Sequence, residues 1–187
     1  MAHEIARRLV HASGAIVPLS WVFDVLTWPQ VRVLLVAGSL LALVLEFVRI
    51  VIGVEWVVFD ALTREYEQDN LAGYALYVIG GSIAGLLFRP EIAVPAMLML
   101  TIADPVSGLL GSDELRTVKP PHILATMFLV SLGLAWSFLP TVAAVAAALA
   151  ATLADGVKPV VATYVIDDNL SIPIVASGAA WVAMAVV

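Results

Sequence analysis

Seven apolar blocks separated by polar seams run along the chain, at Leu9–Leu26, Val31–Leu45, Leu71–Phe88, Ile92–Ala103, Ile123–Leu139, Thr141–Leu153 and Ile172–Val187. Each block predicts a helix. Several are shorter than the roughly 20 residues a straight membrane crossing needs, so they are expected to extend into the flanking polar residues. Prolines 18, 95, 105 and 140 mark the expected helix breaks. Gly81 and Gly85 stand four apart with Ser82 beside them, and Val142 to Ala154 is rich in alanine. Both stretches predict surfaces on which helix backbones approach closely.

Composition turns these helices into membrane spans. The chain is 62% hydrophobic with a mean hydropathy of +1.03, well above a soluble domain. Its 187 residues accommodate about six to seven spans with little left over. The expectation is an all-α, polytopic integral membrane protein forming one transmembrane domain over residues 1–187. The absence of cysteine excludes disulfides and thiolate metal sites. Arg7 and Arg8 ahead of an apolar stretch have the outline of a signal peptide, but Glu4 and His11 interrupt it and no small-x-small cleavage site follows. A retained first helix is expected.

Charge then orients the spans. With the N-terminus inside, Arg7, Arg8, Arg49, Arg64, Arg116, Lys119 and Lys158 face the cytoplasm, against Arg32 and Arg89 outside. That asymmetry obeys the positive-inside rule. Of the acids, only Asp24 and Glu91 fall outside, so 20 of the 24 charged residues share one face. The expected location is the cell membrane, with the N-terminus and any active site cytoplasmic. The net charge of −6 fits either a high-salt habitat or acids gathered at a site. No basic patch of the kind nucleic acid requires is present.

Two acidic seams hold the candidate chemistry. Ala103-Asp104-Pro105-Val106-Ser107-Gly108-Leu109-Leu110-Gly111 follows the fourth block, and Ile166-Asp167-Asp168-Asn169-Leu170-Ser171-Ile172-Pro173 precedes the last. Carboxylates at the edge of hydrocarbon are costly unless compensated, which points to a metal ion or a cationic partner. Asp104-Pro105 ends or starts a helix, and Ser107, Gly108 and Gly111 leave backbone amides accessible to an anion, with Asp104 recruiting Mg²⁺. A capped, kinked helix and an Asx-rich turn are the plain alternatives for the two seams. Arg7, Arg8 and His11 lie near one another on the first helix, suited to phosphate or a carboxylate. Glu46 and Arg49 are spaced to pair across a helical turn, and Asn70 is placed to cap the third span. Lys119, in a basic loop with a Pro-Pro exit, and Lys158 are further cations on the same face.

Taken in order, Glu4, Arg7, Arg8, His11 and Gly14, then Glu46 and Arg49, then Asp104, Ser107 and Gly111, then Asp168, Asn169, Leu170, Ile172 and Pro173 resemble the CTP-dependent lipid kinase family. That family includes dolichol kinase, phytol kinase and the fungal CTP-dependent diacylglycerol kinase. The resemblance covers most of the chain. It implies transfer of the γ-phosphoryl group of CTP, with Mg²⁺ or Mn²⁺, to the hydroxyl of a membrane isoprenoid alcohol. It further implies Asp104 and Asp168, with Asp167 as neighbour, as metal ligands, and Arg8, His11, Arg49 and Asn169 as groups that orient phosphate or acceptor. Two departures stand out: Lys119-Pro120-Pro121-His122 replaces a lysine followed by a Glu-Gly-Ser-type segment, and Ala103 stands where glycine is common. A CTP-using phospholipid cytidylyltransferase and a non-enzymatic transporter or scaffold are the alternatives, although no inverted repeat favours transport.

Overall fold

The computed structural model describes residues 2–54, 56–57, 59, 63, 67–68, 70–110, 118–157, 160–161, 164–165 and 167–186. Among these the chain is helical almost throughout: α1 (Ala2–Ser13), α2 (Ile16–Val22), α3 (Trp28–Ile52), α4 (Gly73–Leu87), α5 (Pro90–Leu109), α6 (Pro121–Trp136), α7 (Thr141–Gly156) and α8 (Asp168–Val186). A two-stranded antiparallel ribbon, β1 (Val160–Val161) and β2 (Tyr164–Val165), joins α7 to α8. The expected all-α architecture is thus present. Helices α3, α5 and α8, of 25, 20 and 19 residues, are long and apolar enough to cross a membrane, while α4, α6 and α7 are apolar but shorter.

The expected first span, Leu9–Leu26, is not one helix. It divides into α1 and α2 at Gly14–Ala15, and the junction is closed by short bonds from Gly14 N–H to His11 O (3.2 Å) and Ala15 N–H to Ala12 O (3.0 Å). Pro18 explains the division: its ring excludes the carbonyl four residues back, at Gly14, but is tolerated in a helix's first turn. The break expected at Pro18 therefore appears one turn upstream. Pro95, by contrast, sits inside α5 without ending it.

Helix α5 is the axle of the bundle. In its apolar window 72% of residues are buried, against 17% in α3, whose Leu34, Leu40, Leu41 and Phe47 face outward. The core clusters form around Met99, Leu100 and Met127 on one side and Val94, Met97 and Val31 on the other. On α7, Ala143, Ala144, Ala147, Ala148 and Ala151 are fully buried between α6 and α8. Side chains this small let three backbones pack together, as the alanine run predicts.

Charged side chains of α3 lock it to both ends of α4. At one end Arg32 Nε donates to Gly85 O (3.0 Å), with Nη2 near Leu86 O and Phe88 O, satisfying carbonyls at the C-terminus of α4. At the other end the Glu46 carboxylate accepts the Ala72 N–H (3.0 Å). Ala72, not Asn70, is the residue that precedes α4, and its amide is satisfied from a neighbouring helix. Ser82 donates to Leu35 O (2.8 Å) and pairs with Ser39 (2.7 Å), and Gly85 lies against Leu35.

Gly80 makes the closest approach between α4 and α8. A Cβ there would stand 2.7 Å from Asn169 O and 3.0 Å from Pro173 Cγ, and the first of these is backbone that cannot swing aside. Gly80→Ala is expected to destabilise the protein by about 1–3 kcal/mol through overpacking. Gly178→Ala, where no atom lies within 4 Å, is expected to be neutral or mildly stabilising. Thermal unfolding of both variants in detergent checks the contrast, and equal effects would remove the close-approach explanation.

Candidate metal centre

One end of the bundle gathers three carboxylates from three helices. Asp104 lies within α5, just past a π-helical turn over Met99–Ala103 in which the Asp104 N–H reaches Met99 O rather than Leu100 O. Pro105 is the local cause. Its ring crowds the carbonyls before it, and having no N–H it cannot serve Leu100 O in the wider register. The Leu100 carbonyl is thereby left for a partner outside the helix, and His11 Nε2 takes it at 2.9 Å. Asp155 stands in the last turn of α7, and Asp168 opens α8.

Asp104, Asp155 and Asp168 each present an oxygen within 4.8 Å of the others'. Oxygens on opposite sides of one Mg²⁺ stand about 4.2 Å apart, and of one Ca²⁺ about 4.8 Å. An all-oxygen donor set with this spacing suits a small, hard divalent cation. Asp155 is 0% exposed and Asp168 6%. Asp155 Oδ1 is bound by Lys119, but its Oδ2 is buried without a hydrogen-bond partner. An unsatisfied buried carboxylate oxygen is costly, so this atom is one that a bound cation, or a proton, would satisfy.

Lys119 is brought there by backbone. Its N–H donates to Gly156 O (3.1 Å), and Val118 pairs with Val157 in an antiparallel bridge. The segment before α6 is thus stitched to the end of α7, and Lys119 Nζ lies 2.5 Å from Asp155 Oδ1 and 3.9 Å from Asp104 Oδ1. Burial alone would lower the ammonium's pKa, but the carboxylates of Asp155, Asp104 and Asp168 outweigh it and raise the pKa above the ordinary lysine value. Lys119 is therefore charged at neutral pH.

The remaining expected site residues divide. His11 reaches the centre, with Nε2 3.7 Å from Asp104 Oδ2, but its bond to a carbonyl fixes Nε2 as a donor, and its ring packs edge-on against Tyr77, whose hydroxyl donates to His11 O (2.9 Å). It braces α1 against the π turn and is not set up to accept a proton at Nε2. Arg8 lies over Gly108, where a Cβ would collide with its guanidinium, so the two expected residues do meet. Ser107 is fully buried and its hydroxyl donates back to Asp104 O (3.0 Å). The anion site expected from Ser107 and Gly108 is absent for a physical reason: Asp104–Leu109 continues α5, so this segment exposes no free helix N-terminus. Gly111 and Lys158 lie outside the described residues.

Asp167, expected as a metal ligand, is instead the N-cap of α8. Its Oδ1 accepts the Asn169 N–H (2.9 Å), and its carbonyl accepts the Leu170 and Ser171 amides. Asn169 itself is buried beside Gly73 at the start of α4, with Oδ1 unpartnered. Arg49, expected to hold phosphate, has all five N–H groups engaged. Nε and Nη2 hold Glu46 at 3.0 and 2.6 Å, while Nη1 and Nη2 also donate to the carbonyls of Glu67 (3.2 Å), Gln68 (3.1 Å) and Asn70 (2.5 Å). It is a structural clamp on the approach to α4.

Sequence reasoning missed Asp155. The signal was present: it is the only charged residue in the 16-residue α7, at the same end of the bundle as both acidic seams. Comparison with protein-family models, with curated proteins and with solved structures returns no match.

Removing Arg49 would strand a buried carboxylate and several carbonyls. Arg49→Ala is expected to cost about 3–5 kcal/mol of stability. Arg49→Lys should recover little, because one ammonium cannot replace a five-donor fork. Denaturant unfolding in detergent measures both, and a fully stable Arg49→Ala protein would reject the clamp.

Proposed function

We propose that the chain is a membrane-embedded phosphotransferase that moves the γ-phosphoryl group of CTP to the hydroxyl of an isoprenoid alcohol of the dolichol, phytol or geranylgeraniol type. The observation that carries this reading is the convergence of Asp104, Asp155 and Asp168 at one end of an apolar bundle, with Asp155 Oδ2 buried and unpartnered. These three carboxylates would hold Mg²⁺ or Mn²⁺. When bound, the cation supplies neutralisation of phosphate charge, which is most of what catalysis of phosphoryl transfer requires. Lys119 offers a second positive charge at the same cluster, and Arg8, over Gly108 on α5, is a guanidinium candidate for the nucleotide's phosphates.

In this reading α3 to α8 are crossings that begin at the outer end, at Trp28, so α1 and α2 together bring the chain across from the site end, where Arg8 and His11 lie. Among the described residues Arg8, Arg49 and Lys119 lie toward that end and Arg32 and Arg89 toward the other, which supports a cytoplasmic placement of the site, where CTP is available. Placement at the end of apolar helices suits an acceptor whose hydroxyl sits at the lipid boundary and whose tail remains in the bilayer.

The test is phosphoryl transfer by purified protein in detergent, with γ-labelled CTP or ATP, Mg²⁺, and phytol, geranylgeraniol, dolichol or diacylglycerol. Label is expected in an isoprenoid alcohol with CTP. Asp104→Ala, Asp155→Ala and Asp168→Ala should each lower the rate by on the order of 10²–10³ or more, while Asp167→Ala, which removes the α8 cap and no ligand of the proposed centre, keeps most of it. Release of pyrophosphate with formation of a CDP-lipid would redirect the assignment to a cytidylyltransferase. No turnover with any pair would reject both.

A further inference from the structure

The ammonium of Lys119 shares the carboxylate cluster in which a divalent cation would bind. It contacts two of the three carboxylates, at 2.5 Å to Asp155 Oδ1 and 3.9 Å to Asp104 Oδ1, and reaches them from a segment pinned by the Val118–Val157 bridge and the Lys119 N–H bond to Gly156 O. The side chain is largely buried, and its positive charge keeps three acids from repelling one another across a few ångströms. A cation that used the oxygens of Asp104, Asp155 and Asp168 would meet this ammonium on Asp155, at a distance where two positive charges repel strongly.

Resting on the metal-centre assignment above, we propose that Lys119 is an internal stand-in for the divalent cation. It holds the three carboxylates together in the metal-free protein and is displaced from Asp155 when the cation binds. The charge count argues for displacement within the pocket rather than expulsion. With all three carboxylates ionised, as cation binding requires, they and one ammonium sum to −2, so one divalent cation brings the cluster to neutrality with Lys119 still present. The long, flexible lysine stem permits such a move while its backbone stays fixed by the bridge to α7. Released from Asp155, the ammonium becomes available to an anion that arrives with the cation, which makes the site ready for phosphate only once it is metallated.

The experiment uses Mn²⁺ alone as the probe, followed by electron paramagnetic resonance on the detergent-solubilised full chain. Lys119→Gln is expected to bind Mn²⁺ at least about tenfold more tightly than the wild type, since it removes a neighbouring positive charge, and Asp155→Asn to bind it more weakly. A second readout needs no variant. Lys119 and Lys158 are the chain's only lysines, so acylation at Lys119 is read directly by peptide mass spectrometry. Its rate should rise as Mn²⁺ saturates the protein. Wild-type binding of Mn²⁺ with no gain in Lys119→Gln, or with Lys119 acylation unchanged at saturation, overturns the stand-in and leaves the metal centre intact. Absence of Mn²⁺ binding in every form overturns the metal centre itself. If Lys119→Gln does not fold without metal, the wild-type acylation measurement decides the matter alone.

Discussion

Like charges cannot share a few ångströms of apolar interior without a compensating cation or proton, and the rest of this structure is arranged around that constraint. Asp104, Asp155 and Asp168 come from three separate helices, so their convergence has to be held against their own repulsion. Lys119 provides part of the compensation, and it arrives on a segment hydrogen-bonded to the end of α7 rather than on a helix of its own. What Lys119 leaves uncompensated is what gives the cluster its chemical meaning. A purely structural ion-pair cluster would be expected to satisfy every buried oxygen, and Asp155 Oδ2 is not satisfied.

The packing that serves this centre depends on small residues and prolines used at particular places. Pro105 forces a π turn in the most buried helix, and the carbonyl it frees is the one that anchors His11 and with it α1. The break that Pro18 imposes separates α1, which His11 anchors, from α2. Gly80 lets α8 approach α4 until backbone nearly touches side-chain positions, which carries Asp168 and Asn169 inward. Arg32 and Arg49, at opposite ends of α3, then fix the length of α4 by taking up carbonyls at or near each of its ends. Neither arginine is left for a ligand: Arg32 is taken up by backbone carbonyls, and Arg49 by carbonyls and the Glu46 carboxylate.

How legible this was differs by residue. Asp104 and Asp168 stood out because a carboxylate beside a long apolar block has few bland explanations, and the structure brings both to one point. Asp167 stood out equally and belongs elsewhere, since adjacent residues at a helix start point in different directions and one of them is needed as the cap. Arg49 and Ser107 were chemically plausible ligands whose hydrogen-bonding capacity the fold had already used. Asp155 was passed over because it sat at the end of an alanine-rich run that read as packing surface; only its partners reveal its role.

The sequence by itself determined that the chain is helical and apolar, that its polar groups concentrate at one end of the helices, and that acids and bases alternate there. Those properties follow from local block length and composition, and no tertiary contact is needed to read them. The identity of the third carboxylate, the lysine set between them, the division of the first apolar block and the loss of the arginine to a clamp were decided by tertiary structure alone. Each is a question of which donor lies within about 3 Å of which acceptor, and in a bundle that is settled by helix register and by a proline or glycine elsewhere in the chain, not by neighbours in sequence.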